Sequence, residues 1–412
     1  MKKKKLYIVL FLMAVIAVSN AQNVASYNRS SLYTILVVDP KARMSDEMIE
    51  AYMDLPVPDK FNNHNLSLRY VTMSMSDQKK SNNLDETIGE FAKKNLIAKR
   101  MVAKWFNRDR ETGAFDFSMI ADRGLYNASA SDLAVAMKSQ RGKALLADAG
   151  EQLIGNTFLV VHNVTYIDKQ EQAEKAQNVL NKISAVSSAF LGTNVVSVAA
   201  DVGSLISEAV AGFTVNVDSY LYQLQWDNET ADGFYSQYYY SKSKVSKSKK
   251  ASFEAERDMF KLVYVGSYSS RSDKAVVRGW YNASDVFKQV LARALDKNIV
   301  ALQKNFENFQ VVVPVYQVEG NQVLVQIGLK EGVSATSRYE VIERTEDKKG
   351  EVTYTRKGVI RPNPKLIWDN RYMADEEDAV NSDLNYTTFE VVSGSGFYPG
   401  MLVREIKYTS GN

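Results

Sequence analysis

Residues Leu32–Val38 read LYTILVV, and the run ends at Asp39-Pro40. Seven residues rich in β-formers and stopped by proline are typical of a strand that is buried on both faces. Further apolar strands are predicted at Thr157–Ile167 and Phe213–Trp226. Together they indicate a sheet at the centre of the N-terminal part of the chain.

Helices are predicted where apolar residues recur every three to four positions. One long helix is expected over Leu84–Trp105, with acidic residues near its start and basic residues toward its end, as the helix dipole favours. A second apolar stripe runs from Phe287 to Phe306. We also expect a short helix that is capped by Ser45, extends to about Met53 and is stopped by the prolines that follow Leu55.

A heptapeptide occurs twice, as RGLYNAS at Arg123–Ser129 and as RGWYNAS at Arg278–Ser284. Each copy is followed by a helical stretch and then by an apolar strand, which indicates an α/β core with internal similarity. One interpretation of the heptapeptide is a paired ligand site. The other, which we prefer, is that Ser129 and Ser284, or the nearby Asp132 and Asp285, cap the helices that follow.

A helical insertion is predicted at 168–212, and half of residues 183–212 are Gly, Ala or Ser. Small residues let helices approach closely, so the insertion predicts a protein partner or self-association. Contact with the outer membrane is the alternative. Asp201 and Glu208 count against a helix that simply spans lipid, because a charge at mid-bilayer is costly.

The segment 235–250 combines tyrosines with lysines and serines. Basic residues beside aromatic rings suit single-stranded nucleic acid, anionic lipid or glycan. Runs of Lys and Ser are more often solvated loops, and we therefore predict a Lys/Ser-rich loop at 235–250 and no nucleic-acid partner.

Short alternating strands dominate residues 310–412, with turn residues such as Gly320-Asn321 and Pro399-Gly400 between them. The predicted strands are Val311–Val318, Val323–Gly328, Tyr339–Arg344, Val352–Arg361, Thr387–Val392 and Leu402–Lys407. This pattern is typical of a small antiparallel barrel or sandwich. The predicted fold class is therefore α+β, with an α/β body at 22–309 followed by a β-rich domain at 310–412.

Residues 1–21 have the features of a secretory signal peptide. Lys2–Lys5 precede the apolar run Leu6–Val18, and the small residues Ser19 and Ala21 suit cleavage before Gln22. The apolar run is shorter than the roughly 20 residues that a spanning helix needs. We therefore expect an exported protein that is periplasmic, associated with the outer membrane, or extracellular.

The formal net charge of +3 belongs largely to this N-terminal segment, which holds four lysines and no acid. Without it the chain is close to neutral. A surface that is generally basic, as nucleic-acid-binding proteins have, is not indicated.

No complete catalytic or metal-binding motif is found in the sequence. The chain has two histidines and no cysteine, so a zinc site of the usual structural kind is excluded. His162 lies in a predicted buried strand, whereas His64 lies in a polar loop and is expected to be the more exposed. We assign no catalytic, cofactor-binding or metal-ligating residue, and expect no cofactor.

Several segments resemble an uncharacterised exported protein family of Bacteroidota. They are Leu55–His64 (LPVPDKFNNH), Val102–Phe106, the RGLYNAS heptapeptide, Gly155–Tyr166 and Tyr220–Trp226 (YLYQLQW). This resemblance implies export and carries no activity. The segments Gly332-Val333, Tyr339–Ile342 and Tyr398–Val403 are similar to the small β-barrels that end some envelope assembly proteins.

The leading functional hypothesis is an exported, non-catalytic envelope or secreted protein with a binding or assembly role. One alternative is an exported hydrolase that uses a pair of carboxylates on glycan or peptidoglycan. A second alternative is a membrane-associated oligomer that uses residues 183–212.

Overall fold

The structure is a computed structural model of the chain. It describes residues 30–42, 44–56, 58–73, 84–127, 153–169, 210–277, 282–346, 352–375 and 379–406. The predicted signal peptide, most of the insertion at 168–212, and the acidic run at 376–378 lie outside the described residues.

A mixed sheet forms the centre of the N-terminal body. Its strands are β1 (Ser31–Val38), β2 (Asn62–Asn63), β3 (Tyr70–Thr72), β4 (Thr157–Asp168), β5 (Val210–Leu224) and β6 (Leu262–Val277). The order across the sheet is β2-β1-β4-β5-β6, and β3 also pairs with β1. β1 runs parallel to β4, whereas β4, β5 and β6 pair antiparallel. The α+β class predicted from the sequence is confirmed.

Helices cover both faces of this sheet. One face carries α1 (Ser45–Asp54) and α7 (Ala283–Asn305). The other carries α2 (Leu84–Lys94), α3 (Ile97–Trp105), α4 (Ser118–Asn127), α5 (Asn228–Gln237) and α6 (Lys247–Ala255).

The pleat of β1 explains why its sequence is apolar at every position. Tyr33, Ile35 and Val37 lie in the core beneath α2 and α3, while Leu36 and Val38 pack toward α1 and α7. Successive side chains of a strand point to opposite faces, so a strand between two helical layers needs no polar side.

The C-terminal strands form a closed barrel. They are β7 (Val312–Glu319), β8 (Gln322–Val325), β9 (Tyr339–Glu346), β10 (Val352–Pro362), β11 (Thr387–Gly394) and β12 (Leu402–Glu405). The order around the barrel is β10-β11-β8-β7-β12-β9, with every neighbouring pair antiparallel. Buried side chains such as Val315, Val341 and Phe389 fill its interior.

The body and the barrel are joined by contacts at the end of α7. Phe309 is fully buried and stacks on Phe61, with 5.0 Å between the ring centroids. Lys304 Nζ donates to the carbonyl oxygen of Gly332 at 3.2 Å and lies 3.5 Å from the Glu405 carboxylate. These contacts place the barrel against the α7 side of the body.

The prediction of one long helix over Leu84–Trp105 is wrong in one respect, because α2 and α3 are separate helices. The chain turns at Asn95 and Leu96, and Leu96 adopts a left-handed backbone with φ of 51°. The apolar stripe continues on both sides of the break, since both helices bury that face in the same core.

The Lys/Ser-rich loop expected at 235–250 is instead largely helical. It contains the end of α5, a 3-10 turn at Lys242–Lys244 and the start of α6, where Ser246 caps the helix by accepting from Lys249 N. Tyr238 and Tyr240 are buried in the core. These tyrosines form helix-packing contacts, so their rings are not exposed for stacking.

The two copies of the heptapeptide differ in the structure. Arg123–Asn127 forms the second half of α4, while in the second copy Asn282 caps α7 by accepting from Ser284 N. The cap is therefore Asn282 and not Ser284. Ser129 and residues 278–281 lie outside the described part of the chain.

Candidate functional site

A cavity of about 200 Å³ lies where the sheet, α1, α7 and the barrel meet. Its walls are largely apolar, with Leu55, Pro56, Leu295 and Ile299 among them. Its main polar groups come from six residues in five separate segments of the chain: Arg69, His162, Asp296, Lys330, Asn370 and Tyr372. Small-molecule sites have this character, an apolar enclosure with a few convergent polar groups.

His162 lines this cavity from β4 and is 2% exposed, which confirms the prediction of a buried histidine. Its Nδ1 atom lies 2.7 Å from Ser219 Oγ on β5. Burial lowers the pKa of His162 to about 3, because the charged form loses its hydration. The imidazole is therefore neutral at physiological pH.

The neighbours of Ser219 determine which ring nitrogen carries the proton. Asn298 Nδ2 approaches Ser219 Oγ at 2.7 Å and can only donate to it. Among the described partners of the serine, His162 Nδ1 is the one that can accept the hydroxyl hydrogen. The proton of the neutral ring is therefore on Nε2. His162, which lines the cavity, thus carries an N–H hydrogen-bond donor.

Asp296 is the carboxylic acid among the described residues that line the cavity. It lies on α7, is partly buried, and forms no hydrogen bond or ion pair with the described part of the chain. The pKa of Asp296 is raised to about 7, chiefly by burial. Of the nearby charges, Lys330 lowers this pKa, and the carboxylates of Glu331 and Asp59 raise it.

Two cationic side chains also line the cavity. Lys330 follows the barrel strand β8 in a 3-10 turn, and its Nζ lies 3.8 Å from an Asp59 carboxylate oxygen. Arg69 precedes β3, donates to the Met53 carbonyl oxygen at 3.1 Å, and stacks over the Tyr52 ring. The lining therefore carries both signs of charge.

His64 is not exposed, contrary to the expectation from its polar sequence context. It is fully buried and stacks on Trp105, with 5.3 Å between the ring centroids. Its Nε2 lies 3.0 Å from the Met101 carbonyl oxygen, which only accepts, so Nδ1 accepts from Arg123 at 3.2 Å. Burial and the Arg123 charge lower the pKa of His64 to about 3.

Arg123 itself connects three elements, which gives the first heptapeptide a structural role. Its guanidinium donates to Ser31 Oγ at 2.9 Å and to the Asn63 carbonyl oxygen at 3.1 Å, and it lies over the Trp105 ring. A planar guanidinium with several fixed N–H donors can bond to several acceptors at once, which a lysine ammonium does less well. The arrangement holds β1, β2 and α3 together.

A second and larger concavity of about 590 Å³ lies between α2, α3 and the edge of the sheet. Asp85 and Glu86 lie on one side of it, and Lys93, Arg257 and Asp258 are among its other lining residues. The ion pair between Lys93 and Asp258 spans 3.1 Å between two strongly exposed side chains. Such exposed charges are well solvated and bind small ligands weakly.

Among the described residues, no group of three or more His, Cys, Asp or Glu side chains is placed to hold a metal ion. Within the same described ranges, no helix combines the length and the apolar character needed to cross a membrane.

Comparisons with known proteins leave the family open. No protein-family model matches the chain, and no curated protein is significantly similar to it.

The cavity could not be predicted from the sequence, because Asp296 is a single acid within the apolar stripe of α7 and matches no motif. The sequence signal that could have indicated the cavity is the position of Asp296, which places a carboxylate on the buried side of a helix.

Proposed function

We propose that this is an exported, non-catalytic protein that binds a small polar ligand in the cavity between α7, the sheet and the barrel. The observation that carries the proposal is Asp296, a partly buried carboxylate on the cavity wall without a partner among the described residues. Placing such a group in an apolar enclosure costs free energy unless something pairs with it. A bound ligand would supply that pair.

The size of the cavity limits the ligand. A dry cavity of about 150 Å³ holds benzene, so about 200 Å³ suits a molecule of roughly ten non-hydrogen atoms. A glycan chain is larger than this. The cavity also holds one carboxylic acid among its described lining residues, whereas the hydrolase hypothesis requires two across the scissile bond. Binding is therefore preferred to hydrolysis.

Export is part of the proposal and rests on residues 1–21. The basic start, the apolar run and the small residues at Ser19 and Ala21 support it. N-terminal sequencing of the protein from its native host is expected to begin at Gln22, and a chain that retains Met1 would contradict it.

A thermal-unfolding screen tests the binding role. The purified protein is heated with a panel of amino acids, amines, carboxylates, monosaccharides and nucleosides, each at millimolar concentration. A ligand at 100 times its Kd adds about 2.7 kcal/mol to the free energy of unfolding, which raises Tm measurably. At least one compound is expected to raise Tm.

A cavity-filling variant provides the control for this screen. Ala292 is buried and lines the cavity, so Ala292→Leu is expected to abolish the Tm increase. Ala251 is exposed on α6, and Ala251→Leu is expected to retain it. The proposal fails if no compound raises Tm, or if both variants respond like the unmodified protein. Circular dichroism establishes that each variant is folded.

A further inference from the structure

The charged groups around the cavity indicate the chemistry of the ligand, and this inference rests on the proposed function. Asp296 supplies a carboxylate from α7 that has no hydrogen-bond or ion-pair partner among the described residues. Arg69 and Lys330 supply two cations, one from the body and one from the barrel. A ligand with one charge of each sign can pair with both kinds of group.

We infer that the cavity takes a small zwitterion, an α-amino acid with an apolar side chain, whose ammonium group pairs with Asp296 and whose carboxylate pairs with Arg69 and Lys330. The three charged residues come from separate segments and meet only in the folded chain. A carboxylate is well matched by the planar donors of an arginine.

The contacts that Lys330 and Arg69 make within the protein leave both cations able to bind a ligand carboxylate. Lys330 is held by Asp59 at 3.8 Å, near the outer limit of an ion pair, and the Asp59 side chain is 55% exposed. Arg69 uses Nη1 for the Met53 carbonyl oxygen. A guanidinium has five N–H donors, so one such bond leaves donors for an anion.

The apolar wall matches the rest of such a ligand. Leu55, Leu295 and Ile299 line the cavity together with the rings of Tyr52 and Tyr372. Burying an apolar side chain against this wall contributes about 25 cal/mol per Å² removed from water. The volume of about 200 Å³ accommodates an amino acid of the size of leucine and excludes longer peptides.

The neutral His162 supplies a further contact without altering the charge balance. Its proton lies on Nε2, because Ser219 donates to Nδ1. An N–H donor on the wall suits an oxygen of the ligand carboxylate, as hydrogen bonds to charged groups are among the stronger ones. The site thus contains one group for an amine and three for a carboxylate.

Isothermal titration calorimetry with four probes tests this assignment: L-leucine, leucinamide, N-acetyl-leucine and 4-methylpentanoate. Leucinamide lacks the carboxylate, and the last two lack the ammonium group. L-Leucine is expected to bind at least ten-fold more tightly than each of the others. Equal affinity for L-leucine and a one-ended probe, or no binding of L-leucine, overturns the inference.

Two substitutions locate the two ends of the ligand. Asp296→Asn is expected to remove the preference for L-leucine over 4-methylpentanoate, and Arg69→Gln the preference over leucinamide. Asp232→Asn and Arg110→Gln, at exposed positions, are expected to leave both preferences intact. Where Arg69→Gln fails to fold by circular dichroism, Lys330→Gln replaces it. Preferences that survive both cavity substitutions contradict the inference.

The outcomes separate this inference from the function on which it rests. Binding of a one-ended probe or of a sugar that Ala292→Leu abolishes would retain the binding role and reject the zwitterion. No Ala292-dependent binding of any probe or panel compound would reject both.

Discussion

The two histidines show how neighbours determine the state of a residue. Both are buried, and burial lowers both pKa values to about 3. His64 has a guanidinium on one side and a carbonyl oxygen on the other, which makes it a structural connection between β2 and α3. His162 is held by Ser219 and lies edge-on to the Tyr52 ring, with 6.5 Å between the ring centroids, and it lines the cavity.

Asp296 leads to a prediction about stability and pH. Its pKa is about 7 in the folded chain against the ordinary 3.8, so between these values the folded chain keeps a proton that the unfolded chain releases. The ionisation of Asp296 therefore lowers the free energy of unfolding as the pH rises. The chain has its full stability below about pH 4 and loses part of it as the pH rises through 7. Each unit of pKa difference corresponds to about 1.4 kcal/mol.

Asp296→Asn removes this loss because an amide does not ionise. In the absence of ligand, the variant is expected to be more stable than the unmodified protein by about 2–4 kcal/mol at pH 8, and by much less at pH 4. Urea unfolding at the two pH values measures the difference, with the exposed Asp232→Asn as the control. A difference that does not change between pH 4 and pH 8 would contradict the raised pKa, and a variant that is less stable at pH 8 would show that the carboxylate is paired.

At the residue scale, the sequence allowed only part of this to be predicted. The burial of His162 followed from the apolar strand around it. His64 was expected to be exposed because its sequence neighbours are asparagines, yet its contacts are Met101, Trp105 and Arg123, which are distant in sequence. Contacts of this kind leave no local signal.

At the scale of elements, Gly332 ends the 3-10 turn that carries Lys330 to the cavity. Its φ is +76°, a left-handed value that favours glycine. A Cβ at this position would lie 2.4 Å from Val300 Cγ1 on α7. The turn therefore packs directly against the helix that carries Asp296.

Gly320 provides a matched comparison, since its φ is +60° and a Cβ there would meet nothing within 4 Å. Both Gly→Ala substitutions are strained in the backbone by a similar amount, about 1 kcal/mol. Gly332→Ala is expected to cost a further 1–3 kcal/mol, about what overpacking costs, because Val300 must move. Thermal unfolding of the two variants measures this, and equal losses would contradict the close packing.

The elements that were predicted well are those whose pattern is local. The six barrel strands alternate and are separated by turn residues, so their positions agree with the structure to within about three residues. β6 was missed because its polar residues, such as Ser269 and Asp273, obscure the pattern of an edge strand. The turn at Leu96 was missed because the apolar stripe runs through it.

At the scale of the whole molecule, the α+β class followed from a body of apolar strands and helices and a tail of short strands. The cavity could not be predicted, because it forms only where β1, β4, α7 and the barrel turn meet. The pattern of apolar residues within one segment does not indicate which other segments it will contact in the folded chain.

Self-association is a prediction of the sequence at this scale. The small residues in 183–212 are expected to pair helices of two copies, because they allow close approach of the backbones. Size-exclusion chromatography with light scattering is expected to show an oligomer that becomes a monomer when 183–209 is deleted, a change that keeps β5 intact. A monomer before the deletion, or an unchanged oligomer after it, would contradict the prediction.

The closure of the barrel also has a consequence for the timing of folding. β12 is the last strand of the described residues, and it pairs with both β7 and β9. A ribosome releases the chain from its N-terminus, so the ring of strands cannot be completed until residue 405 has emerged. Lys330, Asn370 and Tyr372 belong to the connections of that ring. A nascent chain therefore completes its pocket only after β12 has emerged, and a product that terminates before β12 would have the body without the closed barrel that completes the site.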